Sequence, residues 1–494
     1  KRKKRAVLAG LAAVCLIGMT GSLAAGCGKK DAVSEKTGQE HLTGESKDSV
    51  VVTMPKTSEP EAGFDPAYGW GAGEHTHEPL IQSTLTTTTK DLQIGKDLAV
   101  DYKVSEDGLT WTVTIRDDVT FTDGEKLTAE DVAFAYDENY GQNPIGSGRY
   151  QLKQWDRGQQ MIFEANPDYY GEAPKIKTVT VLFMEEDAAL AAVLAGQADV
   201  AHTVASYSDQ EIEGYHLMAV HTVDNRGFNL PCSEEETRDG IVYGNAFTAD
   251  VNVRRAINIG IDREEMIEHV LNGYGTEAYS VCDQMPWYNE KSAVSYDPEQ
   301  AEQLLDEAGW KMAEDGIRRK DGEKAAFTLL FNNGDSVRQA LAEDTANQLA
   351  KLGIEVTVEG VGWDTAYDRA QSDPMIWGWG AHTPMELYNI YHMMGDAKTA
   401  QYSPYANVSV DSYMDQALAA SSETESYELW KKAQWDGTTG ITQEGDIPWI
   451  WLCNIDHLYF VRDGLQVAEQ KIHPHGHGWS IVNNVDQWSW NVEN

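Results

Sequence analysis

The sequence predicts a mixed α/β fold, and three observations carry that prediction. Ser49-Val50-Val51-Val52-Thr53-Met54 is a β-branched apolar run of the kind that fills a buried strand. Strict alternation follows, with Trp111, Val113 and Ile115 on one face and Thr110, Thr112 and Thr114 on the other, between the turn pairs Asp107-Gly108 and Asp123-Gly124. Helix starts are then interleaved with further strands. Thr128 stands three residues before Asp131, Asp262 three before Glu265, and Asp297 precedes Pro298 with Gly309 as the stop. Strands and helices that alternate along the whole chain, with no internal repeat, define the class.

Ahead of the first strand, Lys1-Arg2-Lys3-Lys4-Arg5 precedes an uncharged stretch from Ala6 to Gly26 that ends in Leu23-Ala24-Ala25-Gly26-Cys27. A basic cluster, an apolar run and small residues before a cysteine read as a secretory signal peptide over 1–26, with Cys27 as the lipidated mature N-terminus. The competing reading is an uncleaved membrane-spanning helix, since the run is just long enough to span a hydrocarbon core. Residues 27–48 are rich in Lys, Glu, Ser, Gly and Thr and are expected to form a flexible tether.

The whole chain has 39 Lys+Arg against 79 Asp+Glu, a net charge of −40, and five of those bases lie in the leader. So acidic a surface repels nucleic acid and anionic head groups, and no later apolar run is long enough to span a bilayer, so the lipid is expected to be the only membrane attachment. With 494 residues the chain exceeds one hydrophobic core, and two or three domains are expected. Beyond Cys15 and Cys27 only Cys232, Cys282 and Cys453 remain, so buried thiols or one bridge plus one free thiol are both open.

Local sequence words then resemble a known family. Val104-Ser105-Glu106-Asp107-Gly108-Leu109-Thr110-Trp111, Arg116-Asp117-Asp118-Val119-Thr120-Phe121-Thr122-Asp123-Gly124 and Leu127-Thr128-Ala129-Glu130-Asp131-Val132 are similar to the signature of family 5 extracellular solute-binding proteins, the peptide and nickel binders of ABC importers. Asn143-Pro144-Ile145-Gly146-Ser147-Gly148-Arg149-Tyr150, Leu194-Ala195-Gly196-Gln197-Ala198-Asp199-Val200, Tyr296-Asp297-Pro298 and Trp377-Gly378-Trp379-Gly380 follow in family order. The resemblance implies a two-lobed clamshell of the periplasmic-binding-protein type, closing on a ligand without breaking bonds. It places lobe I at 49–75, 143–235 and 456–494, a small subdomain at 76–142 and lobe II at 236–455. Asp137 to Asn143 bridges a gap that relatives fill with several tens of residues, so the subdomain is expected to be reduced. The implied protein is a monomer without a cofactor, held outside the cytoplasm by its lipid, that passes a small peptide or metal chelate to importer permease subunits.

In peptide-binding relatives an acidic residue shortly after the Gly-Trp-Gly word pairs with the peptide's α-ammonium. Here the stretch reads Gly380-Ala381-His382-Thr383-Pro384-Met385-Glu386, so Glu386 stands in at a shift and His382 lies nearest the family position. Trp377 and Trp379 offer stacking area, with Tyr388 and Asn389 as polar partners. A nickel or metal-chelate alternative rests on His75 and His77 and on His473, His475 and His477, whose spacing can bring imidazoles together. The bland reading of each His pair is a hydrogen-bonded or solvated ring. Hydrolase motifs are missing: there is no Gly-x-Ser-x-Gly, no His-Glu-x-x-His and no phosphate loop, and Cys453 lies in an apolar run that suits a buried thiol better than a nucleophile.

Overall fold

In the computed structural model, residues 47–60, 63–64, 79–105, 107–133, 144–394, 405–475 and 478–491 are described. The leader, Cys27, tether residues 28–46, His75, His77, His477 and the 137–143 junction lie outside them.

The chain enters through β1 (Ser49–Met54), forms a hairpin of β2 (Ala99–Val104) and β3 (Trp111–Ile115), and passes a short helix α1 (Ala129–Ala133). It then lays down β4 (Tyr150–Asp156), β5 (Gln160–Ala165), β6 (Thr178–Phe183), α2 (Glu186–Leu194), β7 (Val200–Thr203) and β8 (Tyr215–Val220). A change of sheet brings β9 (Asn225–Asn229), α3 (Val251–Ile259), α4 (Arg263–Leu271), β10 (Gly275–Glu277), α5 (Pro298–Glu307) and β11 (Ala326–Asn332). There follow α6 (Ser336–Lys351), β12 (Glu355–Val361), α7 (Trp363–Arg369), β13 (Ile376–Trp379), α8 (Met385–Tyr391), α9 (Val408–Leu418), α10 (Glu423–Gln434) and β14 (Trp449–Ile455). The chain returns to the first sheet as β15 (His457–Arg462).

Seven strands make the first sheet, in the order β8-β15-β7-β1-β6-β5-β4. As its composition predicts, β1 is central, running parallel to both β6 and β7 with Val50, Val52 and Met54 buried. Against it pack Phe163, Val179, Val181, Trp479 and Trp488. Burial of each such side chain is worth roughly 1.5–3 kcal/mol. The second sheet is β10-β14-β9-β13, and the parallel pair β11-β12 joins it through a bridge from Leu330 to Met375. One core lies under α3, α4 and α6, around Phe228, Ile257, Leu341 and Leu452. A neighbouring core holds Trp377, Trp430, Trp449 and Trp451 against α8, α9 and α10.

The caps fall where the sequence puts them. Asp262 accepts from Glu265 N at 2.9 Å, Asp297 from Gln300 N at 2.9 Å with Pro298 opening α5, and Thr128 N donates to Asp131 Oδ2 at 2.7 Å. Each cap is worth about 1 kcal/mol. The β2–β3 hairpin keeps the alternation read from its sequence, but its aromatic face looks out of the molecule: Trp111 is 62% exposed and stacks on Tyr102 at 6.1 Å. Cys232, Cys282 and Cys453 are free thiols, which decides between the two readings of the cysteine count, and no helix among the described residues is long and apolar enough to cross a membrane.

Candidate functional site

Two chain crossings connect the sheets, and they lie side by side. Residues 221–224 carry the chain from β8 to β9, and Asp456 alone separates β14 from β15. Thr222 Oγ1 donates to Ile455 O at 2.6 Å, and Ile455 N to Asp224 O at 2.9 Å. A third segment, 470–475, runs along them: Val223 N donates to His473 O at 2.8 Å, His473 N to His221 O at 2.9 Å, and His475 N to Gly380 O at 2.6 Å.

Asp224 sits at the centre, 4% exposed. Its carboxylate accepts from the Arg226 guanidinium, from His475 Nδ1 at 2.5 Å and from His457 Nε2 at 3.0 Å. Burial opposes ionisation there, but Arg226, His475 and His457 together outweigh it and hold the carboxyl well below the usual range. A second, half-buried pair, Arg338 with Asp335, stands at the first turn of α6. Both guanidinium groups lie against Gly378. A Cβ there would be 2.7 Å from Arg226 Nη1 and 2.8 Å from Arg338 Nη2. Gly380 is needed for another reason: φ is +134° and a Cβ would lie 1.8 Å from Val223 O, on the crossing itself. The two glycines of the Gly-Trp-Gly word are thus the places where β13 meets charge and backbone at close range.

The tryptophans of that word are held by asparagines of β9. Asn229 Oδ1 accepts from Trp377 Nε1 at 3.1 Å and Asn225 Oδ1 from Trp379 N at 3.2 Å. Trp377 is buried, and over it stack Trp363 at 5.9 Å and Tyr367 at 5.8 Å, each 42% exposed. The Arg338 guanidinium lies 6.0 Å from the Trp363 ring. A flat aromatic platform with a cationic edge results.

Beyond β13 the loop folds back onto itself. Glu386 accepts from Gly380 N at 3.2 Å and Ala381 N at 2.8 Å, fastening the first turn of α8 to the loop. Burial pushes its carboxyl up to about 8, against the opposing pull of those two N–H groups. His382 is pushed down to about 4, by burial first and then by Lys471. Tyr388 stacks on His392 at 4.1 Å, and Asn389 is half-buried beside it on α8. Trp377, Trp379, His382, Glu386, Tyr388 and Asn389 therefore occupy one continuous β13–loop–α8 segment. His473 is fully buried, its ring facing His457 and Gln470, and His475 is turned onto Asp224. No three His, Cys, Asp or Glu side chains among the described residues are grouped so as to hold a metal ion. Cys453 is fully buried, and burial pushes its thiol up to about 12.

Sequence reasoning passed over Asp224, Arg226, Arg338, His457, Trp363 and Tyr367. The signal that was there is Asp224-Asn225-Arg226, a polar run at the mouth of a strand whose continuation buries Phe228 and Leu230.

Two sheets joined by paired crossings at residues 221–224 and Asp456 make a mixed α/β fold of the kind that binds a solute between two halves. Residues 93–141 and 135–401 match the family described as bacterial extracellular solute-binding proteins, family 5. The chain belongs to that family, whose members are the extracytoplasmic solute-binding proteins of ABC importers and not enzymes. It is 29% identical over 492 residues to protein XP55 of Streptomyces lividans, covering 85% of this chain and 86% of that one. It is 28% identical over 441 residues to the oligopeptide-binding protein AppA of Bacillus subtilis, covering 72% and 79%. Among solved structures, NikZ from Campylobacter jejuni in complex with Ni(L-His) superposes with a TM-score of 0.73 at 22% identity, over 90% of this chain and 99% of that one.

Proposed function

We propose that this chain captures a short peptide outside the cytoplasm and presents it to the permease of an ABC importer, anchored by lipid on Cys27. The observation that carries the choice of ligand is the aromatic platform of Trp363, Tyr367 and Trp377, which offers stacking area to a peptide's side chains, edged by the Arg338 guanidinium that Asp335 already pairs. The relation to the oligopeptide-binding AppA at 28% identity supports it, against 23% to the nickel-binding periplasmic protein of Escherichia coli. Two lobes would turn about the crossings at 221–224 and Asp456, which puts the lobe boundary there in place of position 235. A reduced subdomain from 76 to 142 and a second lobe ending near 455 complete this division. Trp379, His382, Glu386, Tyr388 and Asn389 follow the platform and are assigned to the ligand's polar ends.

Isothermal titration of the tag-free protein tests the ligand. Heat with a mixed di- to pentapeptide library and none with nickel or nickel–histidine supports the reading; heat with the nickel chelate alone overturns it. Loss of membrane fractionation in Cys27→Ala tests the anchor separately, and unchanged fractionation would remove it.

A further inference from the structure

The ring nitrogens at the crossing do not have enough protons if every histidine is neutral. Three contacts run in series: Asp224 Oδ2 to His457 Nε2 at 3.0 Å, His457 Nδ1 to His473 Nδ1 at 3.1 Å, and His473 Nε2 to Gln470 Oε1 at 3.0 Å. Both ends are acceptors. Asp224 is ionised, being paired with Arg226 and His475. The Gln470 amide is fixed with its oxygen toward the ring, because its nitrogen donates to Ala468 O at 2.9 Å and to Asn484 Oδ1 at 2.8 Å. The orientation of Asn484 is set in turn, since its oxygen accepts from Trp488 Nε1 at 2.8 Å and its nitrogen donates to Glu469 O at 3.0 Å.

His457 Nε2 and His473 Nε2 must therefore both carry N–H, and the contact between the two Nδ1 atoms needs one more. Two neutral imidazoles hold two protons in all. With only two, one of the three contacts would set lone pair against lone pair at about 3 Å, which costs as much as an unmade buried hydrogen bond.

We infer that His457 and His473 share a third N–H proton, one positive charge between two rings, and that this proton fastens the 470–475 segment across the sheet crossing. Arg226, Arg338 and the shared imidazolium are three cations against the carboxylates of Asp224 and Asp335, and Asp456, next in sequence to His457, brings the third carboxylate, while His475 gives its Nδ1 proton to Asp224. His221 and Asp456 form a second pair at 3.0 Å on the exposed side of the same crossing. Glu386, Cys453 and Tyr459 also face Asp224; burial keeps all three in their neutral forms at neutral pH, so they add no competing charge. When a buffer base withdraws the third proton, one of the three bonds must break and the segment loosens from the crossing. The proton count rests on no assumption about the ligand; only the step from loosened crossing to lobe motion rests on the two-lobe reading.

Imidazole ¹⁵N spectra of the full-length protein, with cross-peaks assigned by their loss in His457→Gln and His473→Gln, read the proton count without altering the site. The expected result is two N–H on one ring and one on its neighbour. A spectrum with one bare nitrogen on each ring across the whole stable range overturns the proposal. Amide exchange at Val223, His473 and His475, corrected for intrinsic rates, should speed up about tenfold as that proton is lost, the scale of one buried hydrogen bond. Gln470→Leu removes the far acceptor and with it the need for the third proton, so exchange there should become independent of pH. Protection that never varies with pH in the wild type would overturn the proposal, and a titration unaccompanied by any change in scattering radius would leave the proton count standing and count against the lobe reading.

Discussion

Adding one methyl group at Gly380 should damage this protein far more than adding it at Gly362, two glycines 18 positions apart in the same half of the chain. At Gly380 the new Cβ would lie 1.8 Å from Val223 O and 2.6 Å from Val223 C, which are backbone atoms of the crossing and cannot swing away. The position also has φ of +134°, where L side chains are strained. Strain of about 1–3 kcal/mol with overpacking of about 1–3 kcal/mol gives a loss of roughly 2–6 kcal/mol. A Cβ at Gly362 meets nothing within 4 Å, and the only expected cost is that of a weaker N-cap on α7, under about 1 kcal/mol. Gly378→Ala should fall between them, because its neighbours are guanidinium ends that can shift, though only by disturbing one buried and one half-buried ion pair. Equilibrium unfolding in guanidinium chloride followed by tryptophan fluorescence, with slopes compared across the three variants, reads these costs. Equal losses at 380 and 362, or a Gly380→Ala protein as stable as wild type, would refute the account of the Gly-Trp-Gly word given above.

Asp224→Asn keeps the shape of the side chain but leaves the Arg226 guanidinium buried without its counter-charge, and should cost about 3–5 kcal/mol in the same unfolding assay. His202 is 7% exposed, and burial pushes its imidazole down to about 4. Because the unfolded chain takes up that proton near pH 6.5 and the folded one does not, stability should fall by about 3 kcal/mol as pH drops from about 6.5 to 4. His202→Gln should flatten that limb of a stability–pH profile. Trp363→Ala, which truncates the exposed layer of the aromatic platform, should weaken peptide binding about tenfold by titration calorimetry while costing about 1–3 kcal/mol of stability, since more than half of the ring is buried on Trp377 and Tyr367.

Much of the fold is legible in local sequence because it depends on local physics. The β1 run, the Asp262 and Asp297 caps and the Asp-Gly turns act within a few residues, and each appears where its chemistry puts it. The hairpin's alternation was readable too, but not that its aromatic face would be left uncovered, since that depends on what packs against it. The site divides in the same way. The β13–loop–α8 stretch is contiguous in sequence, so its tryptophans and Glu386 could be found together. The pairing of Asp224 with His457 and His475 joins residues separated by 233 and 251 positions, and no periodicity or spacing announces such a meeting. Arg338 is hidden for a related reason: in sequence it is one of many polar residues in the first turn of a helix, and only the fold turns it onto Gly378.

Glu386 is the residue on which the ligand question turns, because its acid is already engaged. Both carboxyl oxygens accept backbone N–H bonds, and with burial raising it to about 8 the group is mostly neutral at pH 7. An uncharged acid is a poor counter-ion for a peptide's ammonium. If an ammonium does approach, its charge must draw Glu386 toward the ionised form, so binding would expel a proton. The sign is fixed: a cation favours the carboxylate, and at pH 7 close to one proton should leave per peptide bound. Above pH 9, where the carboxyl is already ionised and the free peptide's α-amino group has lost its own proton, binding as an ammonium should take a proton up instead. Titration calorimetry in two buffers of different ionisation heat measures that number directly. Release with free peptides and none with N-acetylated ones would place the ammonium at Glu386. Binding without release at pH 7 would mean that the peptide's ammonium does not meet this carboxyl and that the loop's own N–H groups remain its partners.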